Sequence, residues 1–297
     1  MVRTVTAADE EEFRDRLRTA GAEDGVFVFN VAEYLDERRK SGFIPQILEA
    51  LHLPHLGSSA QAVRTALDKG RTKEILSRRG IPTPRFFVVA PGDSQVQEKA
   101  QDIGYPLMVK PLREGGHAGI DDDSVAHDAR ELEHAIQRVL LHHQQPSLVE
   151  EFIGGEEMRE FSVGVIGSAA RIHLPLEIDW ERMALPTRIL TFEAARRDRE
   201  RVKPVRDPTV VGMLDDLADR TFDAVGAADY ARVDIRGNRK GYSVLEINLM
   251  PGLGRRNFLP LAAREQLGLE QGDLAWMLLN ESVRRQGLPA VDAPPGR

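Results

Sequence analysis

The segments 231-ARVDIR-236 and 242-YSVLEIN-248, joined by 237-GNRKG-241, constrain the fold more than any other part of this chain. The first alternates apolar and polar residues with a period of two, the second does so except at Val244-Leu245, and the connector is short and carries Gly and Asn. They therefore form an antiparallel hairpin with one apolar and one polar face. With a symmetric turn Arg236 lies opposite Tyr242, Asp234 opposite Val244 and Arg232 opposite Glu246. Arg232, Asp234, Glu246 and Asn248 then share a surface, and a slip of one residue separates them. A carboxylate taken out of water is expensive unless it is paired or holds a metal. Two readings stay open: a solvent-facing hairpin with an Arg232–Glu246 cross-strand ion pair, or a cleft floor that holds a divalent cation. Two carboxylates and a carboxamide, without Cys or His beside them, suit Mg²⁺ or Mn²⁺ better than zinc or copper. So few protein ligands leave coordination positions for substrate phosphates.

At 297 residues the chain is long enough for two or three lobes with a cleft between them. Its 41% hydrophobic and 29% charged residues are those of a folded globular protein, and a net charge of −7 argues against a nucleic-acid partner. No apolar run reaches a membrane span, and the acidic start MVRTVTAADEEEF is unlike a secretory signal, so the expected location is cytoplasmic, with no membrane partner. The absence of cysteine excludes disulfides, thiolate metal sites and a cysteine nucleophile.

Along the chain, periodicity predicts a helix at 9–20, a strand at 25-GVFVFNV-31 and a helix from Ile44 to Leu51. One helix is expected over 60–80, with Gly70 inside it, and another over 94–104 between strands 85–90 and 106–112. Helix 128–143 leads to strand 147–153, then strands 160–167 and 170–178 and a long polar loop over 179–209, of a length common in lids. A helix at 209–226 precedes the hairpin, a final helix covers 258–284, and the tail 291–297 is expected to be disordered.

Several pieces suit phosphate. Lys110 ends the apolar strand 106-PLMVK-110 just before 113-REGGHAGI-120, whose Gly115, Gly116 and Gly119 let backbone N–H groups approach an anion. Lys69 and Lys73 have i,i+4 spacing, which by itself reads as an exposed basic helix face. Glu150 and Glu151 end a strand and point to opposite faces, so at most one lines a cleft. No G-x-x-x-x-G-K-[ST], G-x-S-x-G or strand-linked G-x-G-x-x-G occurs.

In this order the parts resemble the ATP-grasp superfamily, and within it the D-alanine–D-alanine ligase family, from about Val26 to Leu288. The stretches that carry the resemblance include LDKGRTKEILSRRGIPTPRFFVV, YPLMVKPLREGGHAGI, LVEEFIGG, EFSVGVIG, ARVDIRG and LEINLMPGL. It implies an α/β ATP-grasp fold with a shortened N-terminal α/β lobe (1–67), a small grasp lobe (68–153) and a large lobe with the metal-binding hairpin (154–290), the last two clasping the nucleotide. Such enzymes activate a carboxylate as an acyl phosphate with ATP, then let an amine displace phosphate to give an amide and ADP.

The resemblance implies that Lys69 and Lys110 contact the ATP phosphates beneath the loop of Gly115, Gly116 and His117. Glu150 takes the adenine amino group, the backbone of Glu151, Phe152 and Ile153 lines the base pocket, and Glu160, with Glu157 as the alternative, holds the ribose. Asp234, Glu246 and Asn248 bind two Mg²⁺ ions, Arg232 and the N–H of Gly252 stabilise the oxyanion, and Asn257 or Phe258 lies near the second substrate. Small-molecule acids and amines are the expected partners, with a homodimer as the expected assembly.

The departures from the family pattern fall on substrate recognition. The N-terminal lobe is short and its amine-binding glutamate is unassigned. Gly116, beside His117, stands in place of a loop serine, and Asn257 in place of a later one. Ala195, followed by Arg196 and Arg197, stands where the lid lysine is expected, with Arg196 as its substitute. The expectation is a carboxylate–amine ligase of specialised metabolism. The alternatives are an authentic D-alanine–D-alanine ligase, a nucleotide-binding protein without turnover, and phosphoryl transfer without ligation.

Overall fold

A computed structural model describes residues 3–22, 25–183, 185, 187–197 and 200–291. The tail expectation lies outside these residues except at Val291. The elements in chain order are α1 (Glu10–Gly21), β1 (Tyr34–Asp36), β2 (Ser41–Phe43), α2 (Ile44–Ala50), α3 (Ala60–Leu67), α4 (Lys69–Arg78), β3 (Phe86–Val89), α5 (Val96–Ile103), β4 (Leu107–Pro111), β5 (Val125–Ala126), α6 (Ala129–His143) and β6 (Ser147–Glu151). They continue with β7 (Arg159–Ile166), β8 (Ile172–Ile178), α7 (Trp180–Met183), α8 (Phe192–Arg196), β9 (Val202–Pro204), α9 (Pro208–Val225), β10 (Tyr230–Asn238), β11 (Gly241–Asn248), α10 (Phe258–Leu267) and α11 (Gln271–Arg285).

The larger sheet is antiparallel, in the order β11-β10-β7-β8-β9. On β7 and β10, Phe161, Val163, Val165, Val233 and Ile235 join Leu214, Ala218 and Phe222 of α9 in the main core, each buried side chain contributing about 1.5–3 kcal/mol. Alternation sends the intervening residues to the opposite face. There the pairs Arg232–Gly164, Asp234–Ser162 and Arg236–Glu160 lie side by side across two strands. One face of this sheet is thus apolar under α9, and the other carries charge.

The smaller sheet, β3-β6-β4-β5, obeys the same rule. Leu107, Val109 and Val149 pack against α5 and α6, which leaves Lys110 and Glu150 on the other face. Helix α4 covers that face. It approaches so closely at Gly70 that a Cβ there would lie 2.8 Å from Val88 Cγ2, so the glycine inside the helix is required by packing.

Several expectations are corrected. The 60–80 helix is two helices broken at Asp68, whose carboxylate caps α4 through Arg71 N. The 258–284 helix is likewise two, divided at Gly268 in the left-handed region (φ 67°). Residues 25–31 form no strand, only an isolated bridge between Val28 and His55. The 179–209 segment contains α7, α8 and β9 rather than loop alone. Among the described residues no helix is long and apolar enough to cross a membrane.

At the root of β10, fully buried Asp229 accepts from Gly57 N at 2.8 Å, from Ser282 Oγ at 2.6 Å and from Arg285 Nε at 2.6 Å. This clasp ties the loop before α3 to α11 at the start of the charged strand.

Candidate active site

The hairpin register differs from the symmetric-turn expectation. Asn238 pairs with Gly241, and near the tip Ile235 faces Val244; a bulge after Asp234 then sets Asp234 opposite Glu246 and Arg232 opposite Asn248. Without that extra residue, strict alternation from buried Val244 would send Glu246 under the sheet. The bulge at Leu245 lets Val244 and Ile247 both enter the core while Glu246 stays on the charged face.

The Arg232–Glu246 ion pair of the solvent-facing alternative does not form. Arg232 instead grips Asp234, its Nη2 at 2.8 Å from Oδ2 and its Nε at 3.0 Å from Oδ1. Ser162 Oγ donates to Asp234 Oδ1 at 2.5 Å. Glu246 lies 3.4 Å from Lys69 Nζ and is 27% exposed. Burial opposes its charge, but Lys69, Lys110 and Arg232 outweigh that and push its carboxyl down to about 2. Asn248 Oδ1 accepts from Met250 N at 2.9 Å and keeps a second lone pair for another partner.

The two lysines of α4, read from spacing as an exposed face, are both buried. Lys73 is 0% exposed and lies 2.6 Å from Glu150, which also lies 2.5 Å from Lys110. Burial works against the Glu150 charge, yet Lys110 and Lys73 together hold this carboxyl below the usual range. Lys73 also donates to Thr83 Oγ1, which donates to the Val244 carbonyl, each at 2.8 Å. A continuous polar chain therefore runs from the small sheet through α4 to the bulged strand.

Above this floor lies the glycine-rich loop. Lys69 Nζ donates to the Glu114 carbonyl, and Gly116 and His117 both adopt left-handed backbone, φ 59° and 60°. Burial lowers the His117 pKa, with Glu246 opposing. The 179–209 segment is tied to the loop by Phe192 N donating to Ile120 O at 2.9 Å, and by Thr187 Oγ1 donating to Asp122 at 2.8 Å. Between floor and loop is a cavity of about 60 Å³, lined at one end by Met108, Ile120, Phe152 and Leu190 and at the other by Lys110, Asp234 and Glu246.

The structure brings Lys69, Lys110, His117, Glu150, Glu160, Arg232, Asp234 and Glu246 to this cleft. Other expectations are corrected. Glu150 lines the cleft with Lys73 and Lys110 both on its carboxylate, so any base it meets shares it with them. Glu157 is on the surface, paired with Arg239, whereas Glu160 lines the cleft. Phe258 packs with Leu56 and Tyr230 in a core, and Arg196 is exposed at the end of α8. Asn257 rests against Gly252 and Gly254, so that a Cβ on either glycine would lie within 3 Å of its side chain. The N–H groups of Glu151 and Phe152 donate to the Arg85 and Pro106 carbonyls, which leaves that of Ile153 for a ligand.

Sequence reasoning missed Lys73, Ser162 and Arg236. The i,i+4 spacing of two lysines was the signal for the first, and the alternation of β7 and β10 for the other two. Half-buried Glu33, its carboxyl raised by burial, is a further carboxylate within range of Lys69.

The donor set fits divalent cations shared with phosphate. Among the described residues no group of three or more His, Cys, Asp or Glu side chains converges as a ready-made cage. Two carboxylates and one carboxamide oxygen beside Lys69 and Lys110 supply part of a hard-cation shell and counter-charge for phosphates.

Residues 75–280 match the family model described as D-ala D-ala ligase C-terminus. The chain belongs to the D-alanine–D-alanine ligase family of ATP-grasp enzymes. It is 31% identical over 252 residues to a D-alanine–D-alanine ligase of Pseudomonas putida, covering 84% of this chain and 74% of that one. It is 32% identical over 251 residues to the uncharacterized protein y4sG of Sinorhizobium fredii, covering 83% and 70%. The fold is that of the Bacillus anthracis D-alanine–D-alanine ligase solved with ATP, at a TM-score of 0.77 and 20% identity, over 97% of this chain and 87% of that one. Membership makes the protein an ATP-dependent ligase that joins a carboxylate to an amine, acting on small molecules.

Proposed function

We propose that this ligase couples an amino acid or related small acid to an amine of specialised metabolism, through an acyl phosphate and with release of ADP and phosphate. The observation that carries the reading is the meeting of Lys69, Lys110, Arg232, Asp234 and Glu246 in one cleft, with Glu246 3.4 Å from Lys69. In this reading Lys69 and Lys110 hold the phosphates, while Asp234, Glu246 and Asn248 hold Mg²⁺. Bound Mg²⁺ supplies charge neutralisation on the transferring phosphoryl group. Arg232, aligned by Asp234, and the N–H of Gly252 receive the charge that develops on the carboxylate oxygen. Glu160 accepts the ribose hydroxyls, the Ile153 N–H meets the base edge, and Ile189 and Leu190 of the 179–209 segment exclude water from the cleft.

Supporting a substrate other than D-alanine are Gly116 and His117 on the loop and Asn257 seated against Gly252. The second reading, authentic D-alanine–D-alanine ligation, is favoured by the Pseudomonas putida relative. A cytoplasmic homodimer is part of the same proposal and is checked by sedimentation. Coupled ADP release with D-alanine alone, against a panel of amino and carboxylic acids, separates the readings. Turnover restricted to D-alanine would overturn the first. Hydroxylamine trapping without an amine acceptor tests the acyl phosphate.

A further inference from the structure

Arg236 has no part in the roles assigned so far. It lies on the same face of β10 as Arg232 and Asp234, two residues beyond Asp234 and four beyond Arg232. Successive same-face residues on a strand are about 6.6 Å apart. The three side chains thus mark three stations along the cleft: Arg232 at the acyl end, Asp234 at the phosphates, and Arg236 beyond them.

The surroundings of that last station suit a nucleoside. The Arg236 guanidinium lies 4.8 Å from the centroid of the Phe152 ring and 5.9 Å from that of Trp180. It donates to the Arg188 carbonyl at 2.5 Å and lies 3.4 Å from Glu160, its cross-strand neighbour. Its side chain is only 7% exposed, and its Nε, the atom nearest Glu160, has no hydrogen-bond partner among the described residues. The cavity beside it, about 60 Å³, is far smaller than the roughly 300 Å³ at which small-molecule pockets begin. A nucleotide entering here must therefore displace something. The Arg236–Glu160 pair is a charged contact in the cavity lining, and Glu160 is the group expected to receive the ribose.

We infer that Arg236 is a nucleoside-recognition residue: its guanidinium stacks on the purine face, and the ribose hydroxyls replace it as the partner of Glu160. A planar cation already held against Phe152 is preorganised for a second π-face. Stacking also favours a purine over a pyrimidine, because the larger ring system covers more of the guanidinium.

This inference rests on the reading of the cleft as a nucleotide site, and the test separates the two. Binding of ATP, CTP and inorganic tripolyphosphate, each with Mg²⁺, is measured by calorimetry on the wild-type protein and on R236M and R236K. Lysine keeps a charge for Glu160 and removes the planar face, so it guards against a folding failure in R236M. The expected result is ATP binding about 3- to 30-fold weaker in both variants, a narrower ATP-to-CTP preference, and unchanged tripolyphosphate affinity. Unchanged ATP affinity in folded variants overturns the role of Arg236 and leaves the nucleotide site standing. An equal loss for ATP and tripolyphosphate also overturns it, since Arg236 then acts on phosphate or on the fold. Failure of the wild-type protein to bind ATP overturns the nucleotide reading itself.

Discussion

Replacing Lys73 with methionine tests the buried network at the member that spacing alone placed on the surface. Its ammonium is 0% exposed and lies 2.6 Å from the Glu150 carboxylate, itself 2% exposed. Methionine fills a similar volume, so the change isolates the charge. Removing one partner of a buried pair costs about 3–5 kcal/mol, and because Lys110 remains 2.5 Å away the lower figure applies. At roughly 2 °C per kcal/mol for a chain of this size, Tm falls by about 6 °C near pH 7. The pH dependence has a definite sign. The Glu150 carboxyl is held below its ordinary value of 4.5, so its contribution to stability is fully present above that value and is lost as pH falls through the lowered one. In K73M the lowering shrinks, so less stability is lost in acid and the loss is complete at a higher pH. Thermal melts of both proteins from pH 7 to below pH 4 should show the Tm gap widest at neutral pH and closing in acid. The double variant K73M/E150L gives no recovery, because it leaves buried Lys110 without the carboxylate 2.5 Å away. A gap under about 2 °C at pH 7, or one that does not change with pH, would refute the assignment of Glu150 as a carboxylate bridging two lysines.

Glu246→Gln should lower ADP formation by about a hundredfold or more while the far-ultraviolet spectrum and Tm stay near wild type, because the group is partly exposed and its proposed task is to neutralise phosphate; retained turnover counts against the metal assignment. Chelation with EDTA should abolish ADP release, with recovery on adding Mg²⁺ or Mn²⁺, as oxygen donors require; turnover that persists in EDTA contradicts it. Asp229→Asn should cost about 2–3 kcal/mol, less than a fully buried pair because Arg285 is 32% exposed. Denaturant titration reads this directly, and an unchanged midpoint shows that the clasp contributes nothing.

Much of the architecture was legible because period-two alternation records which face of a strand meets apolar neighbours. The segments around Val163, Val233 and Val244 announced the large sheet, and Asp234 and Glu246 announced its charged face. The bulge at Leu245 left one trace, the adjacent apolar Val244 and Leu245 that break the alternation, but a doublet does not say which of its residues is the extra one. The breaks at Asp68 and Gly268 left ordinary capping signals, an aspartate and a glycine. The fates of Lys73, Glu150 and Arg236 depend on partners 10 to 77 residues away, Thr83, Lys73 and Glu160 among them. Local composition carries no record of such meetings. Glu157 falls in the turn before β7 and Glu160 on the strand itself, where alternation from Ser162 places it on the charged face.

The clasp at Asp229 bears on how this protein can be handled. It joins Gly57, Ser282 and Arg285 three residues upstream of Arg232. Trimming the last turn of the final helix, or inserting a fusion partner there, would release the root of the strand on which the reacting end of the cleft is mounted. Shortened versions should therefore keep everything through Arg285, and affinity tags belong beyond it or at the opposite terminus.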